Sequence, residues 1–195
     1  MNDHPEGDVL ELLVEDHAAV EALFARFERR AAEVPNPNLD VVRDITRELS
    51  VHAAVEEQVL YPLMREALPG GGELADHGIE EHQEIKERLA AIEALDPADE
   101  AWAREVMALI ADVRHHVREE EDEQFPRLRA AVPSDRLTEL ARTVDRAKAV
   151  APTRPHPRAP STPPANRVVG PVAGLIDRVR DGARQAVEEA DERDD

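Results

Sequence analysis

Four successive segments of the chain place apolar residues three or four positions apart, a spacing that lines them up on one face of an α-helix. Short breaks rich in proline, glycine or asparagine separate these segments. The pattern predicts helices over about residues 9–33, 39–67, 73–94 and 97–131. Long helices joined by short connections favour antiparallel packing of neighbours, so we expect an all-α, up-down-up-down four-helix bundle over residues 8–131.

The chain continues beyond the predicted bundle with segments of different character. A short fifth helix is predicted over residues 134–149. Residues 150–167 are predicted to form an extended linker, because six of the thirteen residues from 152 to 164 are proline. Residues 168–195 predict an amphipathic helix with an acidic tail. Docking on the bundle, binding of an unknown protein partner and mobility are all open for this helix, and we favour docking.

Charge and residue usage exclude several function classes. The chain has 43 acidic and 24 basic residues, and a net charge of −19 repels nucleic acid and anionic membranes. It contains no cysteine, so imidazole and carboxylate groups must hold any metal ion. The sequence shows neither an export signal nor an apolar run of about 18 residues, which makes the cytoplasm the expected compartment.

Polar residues interrupt the apolar stripes at positions where a bundle buries its core. Each of the four stripes contains one histidine, and the second and fourth also contain a glutamate one helical turn later. The six residues are His17, His52, Glu56, His82, His116 and Glu120. A carboxylate buried without a partner costs several kcal/mol, and a bound cation would satisfy carboxylates and imidazoles together. We therefore interpret these six residues as metal ligands.

A repeated motif strengthens the metal interpretation. The segments HAAVEEQVLYP, from His52, and HVREEEDEQFP, from His116, share a histidine, two glutamates and an aromatic–proline pair at the same spacing. Two such half-sites plus one histidine from each remaining helix suit two ions bridged by Glu56 and Glu120. Imidazole and carboxylate ligands favour iron or manganese, and we choose iron, with zinc and cobalt still open. A metal-free bundle in which these histidines pair directly with the glutamates is an alternative interpretation.

Several neighbouring residues compete for roles at this site. His115 also begins an HxxxE pair, but its position predicts a surface residue. Glu57 and Glu121 are interpreted as solvated carboxylates, with roles as hydrogen-bond acceptors or an extra ligand left open. Tyr61 lies half a helical turn away from His52 in a regular α-helix, which predicts a packing role. His77 precedes His82 by five residues, so only irregular helix geometry would bring it to the site.

The four segments together resemble the hemerythrin-like, or HHE cation-binding, family over residues 8–131. The resemblance is carried by DHAAV, HAAVEEQVLYP, EEHQEIK and HVREEEDEQFP. It implies a four-helix bundle with a non-haem di-iron centre, bridged by carboxylates and an oxo or hydroxo group. The four histidines correspond to terminal ligands of that family, and Glu56 and Glu120 to its bridges. The family resemblance further implies binding of O₂ or of related ligands such as peroxide and nitric oxide.

One departure from the family pattern bears on function. Oxygen-carrying members have an HxxxH pair on the third helix, whereas Gly78 stands four residues before His82 here. Either His77 substitutes as a metal ligand, or the site has one protein ligand fewer and an additional open position. The second arrangement favours consumption of peroxide or nitric oxide in oxidative or nitrosative stress, although enzymatic activity stays open. The alternative function is an iron-responsive regulatory module in which metal occupancy controls folding and partner contact.

Overall fold

The structure is a computed structural model, which describes residues 7–33 and 38–194. Residues 35–37 of the predicted first break lie outside this range. The helices are α1 (Val9–Glu33), α2 (Leu39–Val55), α3 (Tyr61–Ala67), α4 (Gly71–Ala94), α5 (Glu100–Glu119), α6 (Phe125–Ala131), α7 (Ser134–Val150) and α8 (Ala165–Asp194). The described residues contain no strand. The predicted all-α bundle with an appended helix and a C-terminal helix is confirmed.

Two five-residue π-helical turns interrupt the second and fourth bundle helices. Glu56–Leu60 joins α2 to α3, and Glu120–Gln124 joins α5 to α6. In each turn the backbone N–H of the following aromatic residue donates to the glutamate carbonyl five residues earlier. A π turn of this kind inserts one extra residue into a helix, so everything after it rotates by about 100°. This rotation decides which side chains of α3 and α6 face the bundle interior.

The apolar core forms two clusters with a polar layer between them. One cluster packs the start of α1 against α3, α6 and α7, and includes Leu10, Leu13, Met64, Leu128 and Val144. The other packs the later part of α1 against α2, α4 and α5, and includes Phe24, Phe27, Ile45, Leu89 and Trp102. Burial of each such side chain contributes about 1.5–3 kcal/mol. These two apolar clusters therefore stabilise the bundle on either side of the polar layer.

The segment after α7 is held together through polar groups. Asp177 of α8 is only 2% exposed and accepts hydrogen bonds from the Thr153 backbone N–H (3.1 Å) and the His156 ring (2.9 Å). By contrast, the predicted apolar stripe of α8 points outward, with Val172 and Leu175 about 60% exposed. α8 thus turns a polar face toward the chain that precedes it. No helix among the described residues has both the length and the apolarity needed to cross a bilayer.

Candidate metal centre

The polar layer contains one histidine from each of the four bundle helices, and all four are buried. The Nε2 atoms of His17 and His52 lie 3.1 Å apart, and those of His82 and His116 lie 3.2 Å apart. The four histidines therefore form two pairs. In each pair the ε nitrogens point toward the bundle interior, where they face a shared position.

Glu56 connects the two histidine pairs. Its side chain is fully buried, with Oε1 3.2 Å from His52 Nε2 and Oε2 3.2 Å from His82 Nε2. Each carboxylate oxygen of Glu56 therefore lies next to a histidine of a different pair. This is the arrangement that a carboxylate needs to bridge two ions held by different histidines.

Glu120 spans the same two pairs from the opposite bundle helix. Its Oε2 lies 3.4 Å from His17 Nε2 and its Oε1 lies 3.6 Å from His116 Nε2, again with a fully buried side chain. The potential ligand atoms fall into two groups that share Glu56, namely His17, His52, Glu56 and Glu120, and Glu56, His82 and His116. The six residues predicted as metal ligands therefore lie together in two adjoining groups.

The donor atoms of this layer fit metal ions better than they fit one another. Both carboxylate oxygens of Glu56 and of Glu120 are buried, and among the described residues no hydrogen-bond donor satisfies them. Desolvated carboxylates in this state are costly unless a cation compensates their charge. The set of imidazole and carboxylate ligands suits iron, manganese or zinc, and lacks the all-oxygen character of a calcium or magnesium site.

An acidic residue faces the outer Nδ1 nitrogen of every one of the four histidines. The pairs are His17 with Glu121 (2.7 Å), His116 with Glu81 (2.8 Å), His82 with Glu57 (3.4 Å) and His52 with Asp16 (3.6 Å). Metal-binding histidines are commonly oriented by such carboxylates, because an N–H donated outward leaves the other nitrogen's lone pair facing the metal. The interpretation of Glu57 as a solvated carboxylate was wrong, because its side chain is 4% exposed. Glu121 is 37% exposed, and both carboxylates face a histidine.

Asp16 and Glu81 were not predicted to face the histidines, although the sequence contains a signal for them. Each of the four acids stands directly beside a predicted ligand in the chain but faces a histidine on another helix. Asp16 precedes His17, and Glu81 precedes His82. On every bundle helix an acidic residue stands next to a predicted ligand, and this pattern could have predicted the four outer carboxylates.

The electrostatics of the layer favour positive charge. Burial alone would lower the pKa of His52, but the charge of Glu56, the contact with Asp16 and the charge of Glu120 outweigh it and raise the pKa to about 10. Burial would likewise raise the pKa of Glu56, yet the neighbouring histidines hold it well below its usual value. A layer with these properties stabilises cations, and metal ions compete there with protons.

Tyr61 packs in the buried core as predicted, and its hydroxyl also reaches the polar layer, which was not predicted. Its hydroxyl lies 3.0 Å from His82 Nε2, the ring nitrogen that faces Glu56. The π turn between His52 and Tyr61 explains the difference, because one extra residue turns the tyrosine toward the interior. Gly78 provides the space, since a Cβ atom there would lie 2.7 Å from the Tyr61 hydroxyl oxygen.

The repeated motif places a different aromatic residue at the matching point of the other half-site. Phe125 corresponds to Tyr61 in the two aligned segments. Its ring stacks on His17, with ring centroids 5.9 Å apart and planes inclined by 11°. Tyr61 contacts His82 with its ring and its hydroxyl. One half-site therefore has an O–H beside a histidine where the other has only hydrocarbon.

His77 lies apart from the two buried groups. Its side chain is 51% exposed, and its Nε2 is 3.2 Å from Glu119 and 3.9 Å from Glu81. The π turns lie between α2 and α3 and between α5 and α6. The helix α4 is regular, so His77 lies on a different face from His82. His115 is also exposed, as predicted, and pairs with Glu119 at 3.3 Å. The interpretation in which His77 completes the buried ligand set does not match this placement.

The chain is similar to known proteins of one family. The hemerythrin HHE cation-binding domain profile matches residues 8–128. An uncharacterised hemerythrin-like protein of Schizosaccharomyces pombe is 32% identical over 135 residues, covering 69% of this chain and 66% of that protein. A protein of a Nostoc species named DNA nickase is 28% identical over 147 residues, covering 75% of this chain and 41% of its own length. The chain thus spans less than two thirds of either relative.

A solved structure has the same fold. The crystal structure of a hemerythrin HHE cation-binding domain-containing protein from Mycobacterium kansasii superposes with a TM-score of 0.59 at 18% identity. The match covers 73% of this chain and 88% of that one. The profile covers more than half of the sequence and includes all six residues of the buried layer. This chain belongs to the hemerythrin HHE cation-binding family.

Proposed function

We propose that the protein holds two iron ions in the buried layer and binds O₂, peroxide or nitric oxide there. The observation that carries the proposal is the pair of buried carboxylates whose oxygens each face a histidine of a different pair. One cation would leave half of these donors uncompensated, whereas two cations use them all. Iron is proposed because the protein family and the ligand set both suit it, with manganese as the nearest substitute.

The walls of the site support a small and weakly polar ligand. A small cavity borders the four histidines and is otherwise lined by Val20, Leu49, Ala53, Ile85, Val113 and Val117. Apolar walls exclude water and offer few partners to an organic substrate. Diatomic molecules and peroxide remain as ligands of suitable size.

The chain's own residues would assist such binding in distinct ways. When bound, the iron pair supplies electrons and open coordination positions for small oxygen or nitrogen ligands. The outer carboxylates fix the orientation of the histidine rings. Burial and the neighbouring carboxylates raise the pKa of Tyr61 well above its usual value, so its hydroxyl keeps its proton beside His82. Tyr61 can therefore donate a hydrogen bond inside a site from which the apolar walls exclude water.

Iron quantitation combined with ligand titration tests the proposal. The protein is reconstituted anaerobically with Fe²⁺, freed of loose metal, and titrated separately with O₂, peroxide and nitric oxide while spectra are recorded. We expect two iron ions per chain and a spectral change with at least one ligand. The variant His82→Ala should lose iron, whereas His156→Ala, which removes a partly exposed imidazole outside the layer, should not. Less than about one iron per chain in the wild type would contradict the proposal.

A second candidate function, metal-controlled contact with a partner, is favoured by a specific contact of the C-terminal segment. Asn166 of α8 donates to the backbone carbonyl of Glu57, whose carboxylate faces His82. Lys86 joins the Glu57 carboxylate and the Ser161 hydroxyl. Iron removal should therefore raise hydrogen exchange in residues 152–182. Unchanged exchange there, with iron fully removed, would exclude this function.

A further inference from the structure

A second group of metal-ligand side chains lies on the surface beside the buried layer. His77 and Glu81 are one turn apart on α4, and His115 and Glu119 are one turn apart on α5. His77 Nε2 lies 3.2 Å from Glu119 Oε2, and the other oxygen of Glu119 lies 3.3 Å from His115 Nε2. We call these four residues the outer cluster. Two HxxxE pairs on adjacent helices thus meet around one carboxylate.

Three members of the outer cluster already have the spacing of a metal site. One ligand atom from each of His77, Glu81 and Glu119 falls within 4.8 Å of the other two. His115 stands next to this group through Glu119 and adds a second imidazole. Mixed imidazole and carboxylate ligands prefer divalent transition ions to calcium or magnesium. The partial exposure of these side chains favours weak, exchangeable binding over a permanent structural ion.

Glu81 connects the outer cluster to the buried layer. Its Oε1 lies 3.9 Å from His77 Nε2, and its Oε2 accepts a hydrogen bond from His116 Nδ1 at 2.8 Å. Side-chain exposure decreases along this line, from 51% at His77 to 31% at Glu119, 15% at Glu81 and 4% at His116. A short series of polar contacts therefore runs from solvent to His116, a proposed ligand of the buried pair.

The partners of Glu81 distinguish it from two of the other carboxylates that face the histidines. Glu57 is paired with Lys86, and Asp16 with Lys148. A lysine ammonium next to a carboxylate competes with a metal cation for it. The ion pairs that the described residues make with Glu81 are all with histidines, which can themselves bind the metal once deprotonated. The α4/α5 surface is thus better suited to cations than the surfaces near Glu57 and Asp16.

We infer that the outer cluster is a solvent-accessible binding site for divalent transition ions, from which the buried pair is filled. This inference rests on the proposed function for its second half, since it assumes that the buried layer takes up iron. His77, Glu119 and Glu81 would hold the ion at the outer site, with water completing its coordination. The outer site concentrates cations next to the side chains that lead inward, which raises the rate of filling without changing the final occupancy.

Two measurements on the full-length protein test the inference. Equilibrium dialysis of the iron-filled protein against Zn²⁺ counts the ions bound outside the buried layer. Stopped-flow absorbance after anaerobic mixing of metal-free protein with Fe²⁺ measures the rate of filling. Both are made on the wild type, on the double variant His77→Ala/Glu119→Gln and on the control His156→Ala, with circular dichroism to verify folding. The double variant should bind one Zn²⁺ fewer and fill about tenfold more slowly, since a local charge cluster raises cation on-rates at least that much.

The outcomes separate this inference from the proposed function. An unchanged final content of iron with slower filling supports the outer site. Equal filling rates in the wild type and the double variant overturn it, as does a lower final iron content in the variant, which would make these residues part of the buried centre. A wild type that retains no iron contradicts the proposed function instead. In that case, equal Zn²⁺ counts in the wild type and the double variant would overturn the outer site as well.

Discussion

Gly78 and Tyr61 share one space on the wall of the buried layer. A Cβ atom on Gly78 would meet the tyrosine hydroxyl oxygen at 2.7 Å and the adjacent ring carbon at 2.8 Å. Neither neighbour can move away freely, because Tyr61 is 1% exposed and its hydroxyl contacts His82. Gly78 has an ordinary helical backbone, so its conformation does not require glycine. Glycine is required at this position because the neighbouring tyrosine leaves no room for a Cβ atom.

This close contact predicts the effect of adding one methyl group. Gly78→Ala should destabilise the protein by about 1–3 kcal/mol, the usual cost of overpacking a core. Gly72→Ala is the matched control on the same helix, because the nearest atom to its Cβ lies 3.8 Å away. That control should be neutral or stabilising by about 0.5–1 kcal/mol, as alanine favours helices. Urea unfolding of both variants measures the difference, and equal stabilities would show that Tyr61 moves aside.

The outer carboxylates provide a second prediction at the scale of single residues. Glu121→Gln removes the charge that faces His17 Nδ1 at 2.7 Å, so iron affinity should fall about 10–100-fold. Glu123→Gln in the same π turn removes an exposed carboxylate and should leave the affinity unchanged. Competition with a chelator of known iron affinity measures both. Equal affinities would mean that the histidine is oriented by packing alone.

The six residues of the buried layer could be predicted because each breaks an apolar stripe at a helical spacing. Tyr61 could not, since its direction depends on a π turn that a regular period of 3.6 does not represent. The role of His77 could not be decided for the same reason. The irregular geometry lies between α2 and α3 and between α5 and α6, not on the helix that carries His77. Asp16 and Glu81 were missed because each acts across a helix interface, which spacing along one helix cannot reveal.

At the scale of elements, the two π turns link the repeated motif to the geometry of the site. Both begin at the glutamate of their half-site, Glu56 or Glu120. Both are followed by an aromatic residue and then a proline, which has no N–H to continue the α-helical hydrogen bonding. The matched pair of turns explains why α3 and α6 bring Tyr61 and Phe125 to equivalent places beside the layer.

Removal of the extra residue tests the role of the first π turn. Deletion of Gln58 should restore a regular α-helix and rotate α3 by about 100°, which takes Leu63 and Met64 away from the core. The expected loss is at least that of one large buried side chain, about 2–5 kcal/mol. Gln58→Ala keeps the residue count and should cost no more than about 0.5 kcal/mol. Thermal unfolding compares the two, and equal stabilities would show that the turn is dispensable.

At the scale of the whole molecule, the C-terminal segment is attached by charge and hydrogen bonds. Asp177 and Asn166 face inward on α8, and both are nearly fully buried. The hydrophobic pattern predicted an amphipathic helix with docking favoured, but the apolar face of α8 points away from the chain that precedes it. Periodicity identifies an apolar face but says nothing about which polar groups have partners elsewhere in the chain. The fold of the bundle was therefore predictable, and the way its tail docks was not.

The attachment of the tail is predicted to depend on one aspartate. Asp177→Ala removes the acceptor for the Thr153 N–H and for His156, and hydrogen bonds to a charged group contribute about 1.5–3 kcal/mol. Hydrogen exchange in residues 165–182 should therefore rise while exchange in the bundle stays the same. Asp145→Ala, at an exposed position of α7, is the control. Unchanged exchange in α8 would show that other contacts suffice to hold it.

The difference between Tyr61 and Phe125 gives the site a direction. The proposed ligand set is nearly the same at both ends, because each half of the repeat supplies one histidine and one glutamate, and a helix outside the repeat adds a second histidine at each end. A hydroxyl breaks this equivalence at one end. A small molecule lying across the layer would meet a proton donor at the His82 end and a stacked phenyl ring at the His17 end. Turning such a molecule end for end would change its hydrogen bonding, so the layer would favour one orientation of an unsymmetrical ligand.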